Sequence, residues 1–292
     1  MFTIAESINI MSKTIGPAIR NRDKGPVQKM AIEQAEAGAS MLDLNLGPAR
    51  KNGEEMMEWL VKTVQEVVKT PLALDTMNAS ALEAGLKVCK NEALLNSISA
   101  QPESLRVKLP LVKKYDVDYV ALTLSDEGIP RDVNERALCI VNIMTAAMEL
   151  DIPTSRMWVD GIVLPICIDL PQVLALQEFM LMLPEIVPDC KSTCGLSNIS
   201  NGTPDPLRGI INRTFMIMLE KLGKYSAIVD AYDSELMDIA QGKCPEIVAL
   251  VNKVMDGESV DLGSLSPKEV DYVKTTRVLL GESLYSHSWL DV

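Results

Sequence analysis

Cys190-Lys191-Ser192-Thr193-Cys194-Gly195-Leu196-Ser197-Asn198-Ile199-Ser200-Asn201 is the stretch whose reading decides the fold. A run of small and apolar residues stops at Gly195, and a polar cluster follows at Ser197, Asn198, Ser200 and Asn201. After a loop comes a helical pattern at Leu207, Ile210, Ile211, Phe215, Met218, Leu219 and Leu222. The order is strand, polar lip, covering helix. It recurs at Leu42-Asp43-Leu44-Asn45, Leu72-Ala73-Leu74-Asp75, Leu94-Leu95-Asn96, Met157-Trp158-Val159-Asp160 and Ile228-Val229-Asp230. Each apolar run ends in a carboxylate or a carboxamide. Polar groups at the C-terminal ends of many parallel strands face one another only if the sheet closes, and in a (β/α)8 barrel that face carries the active site.

The polar ends fall at positions 43, 75, 96, about 123, 160, 198 and 230. Those intervals fit one strand plus one helix, and alternation at that period means a parallel sheet. With Phe2–Ala5 as a first strand, ending in Glu6, Ser7 and Asn9, the strands number eight. A chain of 292 residues is near the roughly 250 of one such barrel. The expectation is therefore an α/β chain, a (β/α)8 barrel, as one domain over residues 1–292 with 241–292 as a helical extension packed on it. Among the helices, 54–68 carries Met56, Trp59, Leu60, Val64 and Val67 at helical spacing, and 132–150 carries Ala137, Ile140, Val141, Met144 and Met148. In the extension, Pro245–Met255 reads as a helix, Ser266 and Glu269 form a capping box for another, and Tyr285–Val292 reads as an ordered end carrying Trp289.

Composition narrows the function. The net charge of −12 argues against non-specific nucleic-acid binding, which depends on neutralising phosphates. No secretory signal opens the chain, and the most hydrophobic segment, 162–187, is interrupted by Pro165, Asp169, Pro171, Glu178 and Pro184. A cytoplasmic protein with reduced thiols is expected, since its six cysteines make no C-x-x-C pair. One histidine, His287, excludes a multi-histidine metal site and a Ser–His–Asp triad in the barrel. Neither G-x-G-x-x-G nor a P-loop is present.

What remains is a mouth lined by Asp43, Asn45, Asp75, Asn96, Asp160, Asn198 and Asp230, with Asn9 nearby. Such a ring could hold a hard cation such as Mg²⁺. It could equally grip a flat nitrogen heterocycle, because an Asp accepts two N–H bonds side by side and an Asn both donates and accepts. The amides favour the heterocycle. An Asp or Asn after a strand also serves as a helix cap or Asx-turn; that bland reading is preferred for Asp230 and Asn45 and is weakest for Asp75 and Asp160.

The segments Gly38–Asn45 (G-A-S-M-L-D-L-N), Leu72–Asn78 (L-A-L-D-T-M-N), Leu94–Ser97 (L-L-N-S), Gly195–Ser200 (G-L-S-N-I-S) and Ile211–Phe215 (I-N-R-T-F) resemble the pterin-binding methyltransferase family. The likeness covers about residues 1–240 and is strongest to its methyltetrahydrofolate:corrinoid (iron–sulfur) protein methyltransferases. Leu279–Trp289 also looks related. The order and spacing of the motifs carry it, since singly they are weak. The family implies a barrel, usually a homodimer, that takes (methyl)tetrahydrofolate as substrate and holds its pterin at positions matching Asp75, Asn96 and Asp160. Asp43, Ser197 and Gly195 fall near that site, and Asn198 matches a mobile asparagine beside the pterin N5. The opening reads A-E-S-I-N where G-E-R-I-N is usual, so Ser7 stands for an arginine, and Asn201 stands where a glutamine is common.

What the resemblance implies is methyl transfer between N5 and the cobalt of a corrinoid, by in-line attack of Co(I), with Asn198 as the catalytic donor at N5. No tightly bound cofactor or metal is expected. The corrinoid comes on a transient partner, either a corrinoid iron–sulfur protein or a small corrinoid protein. No nucleic acid and no membrane takes part. Two alternatives stand beside it. One is a dihydropteroate synthase-like enzyme, although the strand-seven lysine and strand-eight Ser-x-Arg of that family are absent. The other is a non-catalytic pterin-binding subunit of a corrinoid complex.

Overall fold

The structure, a computed structural model, describes residues 1–291. In chain order the elements are β1 (Phe2–Asn9), α1 (Gly16–Asn21), α2 (Lys24–Glu36), β2 (Met41–Asn45), α3 (Gly53–Gln65), β3 (Leu72–Asp75), α4 (Ala79–Val88) and β4 (Ala93–Ser99). Then follow α5 (Pro102–Tyr115), β5 (Asp118–Leu122), α6 (Val133–Met148), β6 (Met157–Asp160), α7 (Leu170–Ile186), β7 (Lys191–Thr193), α8 (Asp205–Lys221) and β8 (Ser226–Val229). The chain closes with α9 (Ser234–Ala240), α10 (Pro245–Met255) and α11 (Pro267–Leu279). The eight strands run in the order β7-β6-β5-β4-β3-β2-β1-β8, and every named pair is parallel. This is the (β/α)8 barrel expected from the sequence. The seam between β7 and β8 has one backbone bridge, Gly195 to Ile228, whose Ile228 N–H donates to the Cys194 carbonyl at 2.8 Å; the rest is joined through side chains, Tyr225 N–H donating to Ser192 Oγ at 3.0 Å and Ser226 Oγ to the Ser192 carbonyl at 3.0 Å.

Period-two alternation explains why the strand ends are polar. Ile4, Met41, Ala73, Leu94, Val120 and Trp158 fill the lumen, while Leu42, Leu44, Leu74 and Leu95 point into the layer shared with the helices. Two residues beyond each lumen side chain lies the next inward position. On β2, β3, β4 and β6 it is Asp43, Asp75, Asn96 and Asp160. At the opposite end Phe2, Trp158 and Tyr225 cluster with ring centroids 5.2–5.5 Å apart. Lys191 caps them, its Nζ 4.8 Å from the Trp158 centroid and 3.1 Å from Asp118 Oδ2.

Several element details differ from expectation. The first strand runs on past Ala5 to Asn9, and the short helix α1 precedes α2, whose N-cap is Asp23. On α3 the buried stripe is Met57, Leu60, Val61 and Val64; Met56 and Trp59 are half-buried and Val67 is exposed. On α6 it is Cys139, Ile140, Ile143 and Ala147 around a fully buried Arg136, while Val141 and Met148 face outward. Each helix carries two apolar stripes, and pattern alone does not say which one meets the sheet.

The capping box at Ser266 and Glu269 forms as expected. Trp289 is buried and donates to Thr275 Oγ1 at 3.0 Å, while Val292 of the expected terminal segment lies outside the described residues. Side chains of α10 and α11, among them Val251, Tyr272 and Leu279, belong to the same apolar layer as the barrel helices. No helix among the described residues is long and apolar enough to cross a membrane.

Candidate functional site

The mouth is built on a row of neighbours in register. Asn45 on β2 pairs with Asp75 on β3, and Asp75 pairs with Asn96 on β4. The Asn45 amide donates to Asp75 Oδ2, and its carbonyl accepts from Gly47 N–H at 2.8 Å. Asn45 thus makes the Asx-turn preferred for it and also orients Asp75. Asn96 Nδ2 donates to Asp43 Oδ1 at 3.0 Å, with both side chains buried. Asp43, Asp75 and Asn96 are therefore brought together, and Asp43 is the deepest of the three.

Asp160 stands across the mouth on β6, 8% exposed. Its Oδ1 accepts from Ile162 N–H at 2.8 Å, so it too closes an Asx-turn. Ile162 is held at φ 61, a conformation costly for a β-branched residue. Arg136 secures the same loop by donating to the Gly161 carbonyl at 2.9 Å and to Gln172 Oε1 at 2.7 Å. Asp230, whose Oδ1 accepts from Tyr232 N–H at 3.0 Å, has the turn-forming role preferred for it.

Strand β7 stops at Thr193, short of the Gly195 where the small and apolar run ends, because the chain turns at Gly195 into a 3-10 helix over Leu196–Ser200. Ser197 Oγ donates to Glu6 Oε1 at 2.7 Å, tying this turn to β1. Asn198 is exposed on the rim. Its Oδ1 accepts from Asn201 Nδ2 at 3.1 Å, which leaves the Asn198 NH₂ group as a spare donor. That NH₂ lies over Gly195, where a Cβ would come within 2.9 Å of Nδ2. Among the described residues no hydrogen bond joins Asn198 or Asp160 to the Asp43–Asp75 group.

Burial governs the ionisation of these acids. It raises Asp43 well above the usual carboxylate range, with the Asp75 charge adding to the effect and the Asn96 amide opposing it. Asp75 is pushed up to about 7 by burial, against Lys108 and the Asn45 amide. Burial also raises Asp160, opposed by Lys224, and raises Glu6, opposed by the Ser197 hydroxyl. No group of three His, Cys, Asp or Glu among the described residues is placed to hold a divalent cation. The arrangement instead offers a planar ligand alternating donors and acceptors.

Sequence reasoning had not singled out Glu6, Lys108 and Lys224 for this site. Lys108 could have been noticed, since it interrupts the apolar stripe Leu105, Leu109, Leu111 and Val112 on α5. Lys224, in the turn before β8, gives no such signal.

A family model described as pterin binding enzyme matches residues 18–216. Methylcorrinoid:tetrahydrofolate methyltransferase of Eubacterium limosum is 31% identical over 239 residues, covering 81% of this chain and 88% of the relative. Methionine synthase of Mycobacterium leprae is 28% identical over 236 residues, which is 75% of this chain but only 19% of that protein. In structure the chain resembles dihydropteroate synthase from Xanthomonas albilineans, solved with indole-2-carboxylic acid and 6-chloroguanine. The TM-score is 0.62 at 17% identity, over 82% of this chain and 91% of that one, a likeness of fold. The chain belongs to the pterin binding enzyme family, as a pterin-binding methyltransferase.

Proposed function

We propose that this protein moves a methyl group between N5 of tetrahydrofolate and the cobalt of a corrinoid carried by another protein. The observation that carries the reading is the row Asn45, Asp75 and Asn96, a fixed donor–acceptor edge beside the buried Asp43 and opposite Asp160. Asp75, Asn96 and Asp160 hold the pterin edge, with Asp43, Gly195 and Ser197 around it. The name of the Eubacterium limosum relative puts the methyl group first on the corrinoid, and the same direction is adopted here.

A tertiary amine is a poor leaving group, so the N5–CH₃ bond breaks only when N5 gains positive character. Co(I) attacks the methyl carbon in line, N5 takes a proton, and methylcobalt forms; the reverse step places the methyl on N5 and releases that proton. A donor that strengthens toward the transition state accelerates both directions. The spare NH₂ of Asn198 is such a donor.

The exposed apolar side chains Met11, Met77, Ile129 and Ile168, one on each of four loops round the mouth, suit transient docking of the corrinoid protein. The outward apolar faces of α6 and α7, with Leu138, Met148 and Leu181 exposed, suit a homodimer. The chain acts as one unit, with 241–292 as part of its wall.

The test is methyl transfer from methylcobalamin to tetrahydrofolate, and from methyltetrahydrofolate to cob(I)alamin. Catalysis in either direction is expected. Binding of methyltetrahydrofolate without transfer would leave a pterin-binding subunit, and condensation of a pterin pyrophosphate with p-aminobenzoate would make it a dihydropteroate synthase. Asn198→Ala should lower kcat by about 10²-fold, the lower end for losing one preorganised donor. A loss wholly in KM would make Asn198 a binding group only.

A further inference from the structure

We propose that Lys108 and Lys224 are positioning residues for the ligand of this mouth, two buried cations that hold Asp75 and Asp160 as anions. The proposal rests on the pterin reading above, because only an anionic carboxylate accepts two N–H bonds from a heterocycle edge.

Both lysines are unusual. Lys108 is 8% exposed and Lys224 3% exposed, and burying an ammonium group costs several kcal/mol unless something offsets it. Lys108 Nζ donates to the Ser97 carbonyl at 2.8 Å and the Thr76 carbonyl at 3.3 Å. Those residues directly follow Asn96 and Asp75, so α5 pins the two strand ends that carry the row. Lys224 Nζ donates to the carbonyl of Thr193 at 3.0 Å, and Thr193 is the register partner of Asp160. In both cases the recorded bonds go to neutral carbonyls, and the charge is left for the nearby carboxylate.

The surroundings make those charges matter. Asp75 on β3 faces Asp43 on β2, which is itself near Glu6 on β1; Glu6 in turn faces Asp230 and the Arg208 guanidinium of α8. The Asn45 and Asn96 amides supply donors but no charge. Lys108 is the cation that acts on Asp75, and the two draw each other toward the charged forms against burial. Asp160 faces Lys224, with the Cys194 thiol, just after β7, close by. Without these lysines the mouth would relieve its repulsion by taking up protons, and its acceptors would be lost.

Lys108→Gln keeps an N–H donor for the carbonyls but removes the charge, whereas Lys108→Met removes both. Binding of methyltetrahydrofolate is measured for the wild type, these variants and Lys224→Gln from about pH 6 to about pH 9, spanning the titration of Asp75. Wild-type affinity should fall as pH drops through about 7, where Asp75 takes up its proton. In both Lys108 variants the fall should begin at higher pH, leaving binding on the order of tenfold weaker near pH 6 and unchanged near pH 9, and Lys224→Gln should move the profile in the same direction through Asp160. A Lys108→Gln protein with the wild-type profile, beside a Lys108→Met protein weakened equally at every pH, would show a structural lysine and overturn the proposal. An unfolded Lys108→Gln would also count against it. A wild type that binds no methyltetrahydrofolate at any pH would overturn the pterin reading and this inference together.

Discussion

At the closed end of the barrel, Trp158 packs edge to face against the stacked rings of Phe2 and Tyr225, and Lys191 among them has its charge met by two rings and by Asp118. At the open end, Asp43 and Asp160 are buried and Asp75 is half-buried, with their acids raised rather than lowered. Trp158 and Asp160 are two residues apart on one strand, so the contrast is set by a single step of the pleat. The floor is satisfied by its own neighbours. The mouth's acids accept hydrogen bonds from Asn45, Asn96 and the Ile162 N–H, yet burial still raises them, and acids held in that way mark sites where stability has been given up for binding.

Breaking the floor should have the largest effect. Trp158→Ala removes a side chain 3% exposed and the bond from its Nε1 to Asp118. A loss of about 3–5 kcal/mol is expected in denaturant melts. A loss under about 1 kcal/mol would mean that the aromatic floor does not anchor the barrel.

The mouth should respond with the opposite sign. Asp75 has its folded-state acid near 7, against about 3.9 in an unfolded chain. Its contribution to stability is full below the unfolded value and is lost as pH rises through the folded one. Wild-type stability should therefore fall between about pH 4 and pH 7, and Asp75→Asn should gain on the order of 3 kcal/mol at about pH 8. The same variant should lose pterin binding. Equal melting temperatures for both proteins across that range would remove Asp75 from the raised acids.

The smallest effect probes the rim, which belongs to neither end. Gly195→Ala places a Cβ 2.9 Å from Asn198 Nδ2, and that amide is the free tip of a side chain able to swing aside. Stability should hardly change while kcat falls about tenfold, roughly 1.4 kcal/mol of transition-state stabilisation. Unchanged turnover would separate Asn198 from the chemical step.

How far each region was legible follows from the range of its interactions. The strands and their polar ends stood out because Asp75 and Asp160 terminate uninterrupted apolar runs, which a parallel strand buried on both faces requires. Asp43 and Asn96 followed from the same pattern. The partnership of Lys191 with Trp158, and of Lys108 with the carbonyls after Asp75 and Asn96, joins elements that meet only once the sheet has closed. The faces of α3 and α6 were misphased for another reason. Leu138, Val141 and Met148 make an outward apolar stripe that competes with the inward one, and periodicity alone cannot rank two stripes.

The thin seam at β7 and β8 gives the barrel a place to breathe. Seven neighbouring pairs of strands share ladders, whereas this one has a single bridge from Gly195 to Ile228. Side-chain bonds from Lys224, Tyr225 and Ser226 stand there in place of a ladder, and backbone amides without ladder partners are the first that local opening exposes, so amide hydrogens at the seam should exchange with solvent well before those of β2 to β5. The turn bearing Asn198 hangs from that edge. Opening at that edge would move the rim alone, because the row on β2, β3 and β4 is held by ladders of its own, and a partner docking at the mouth as proposed would meet a yielding lip beside a fixed edge.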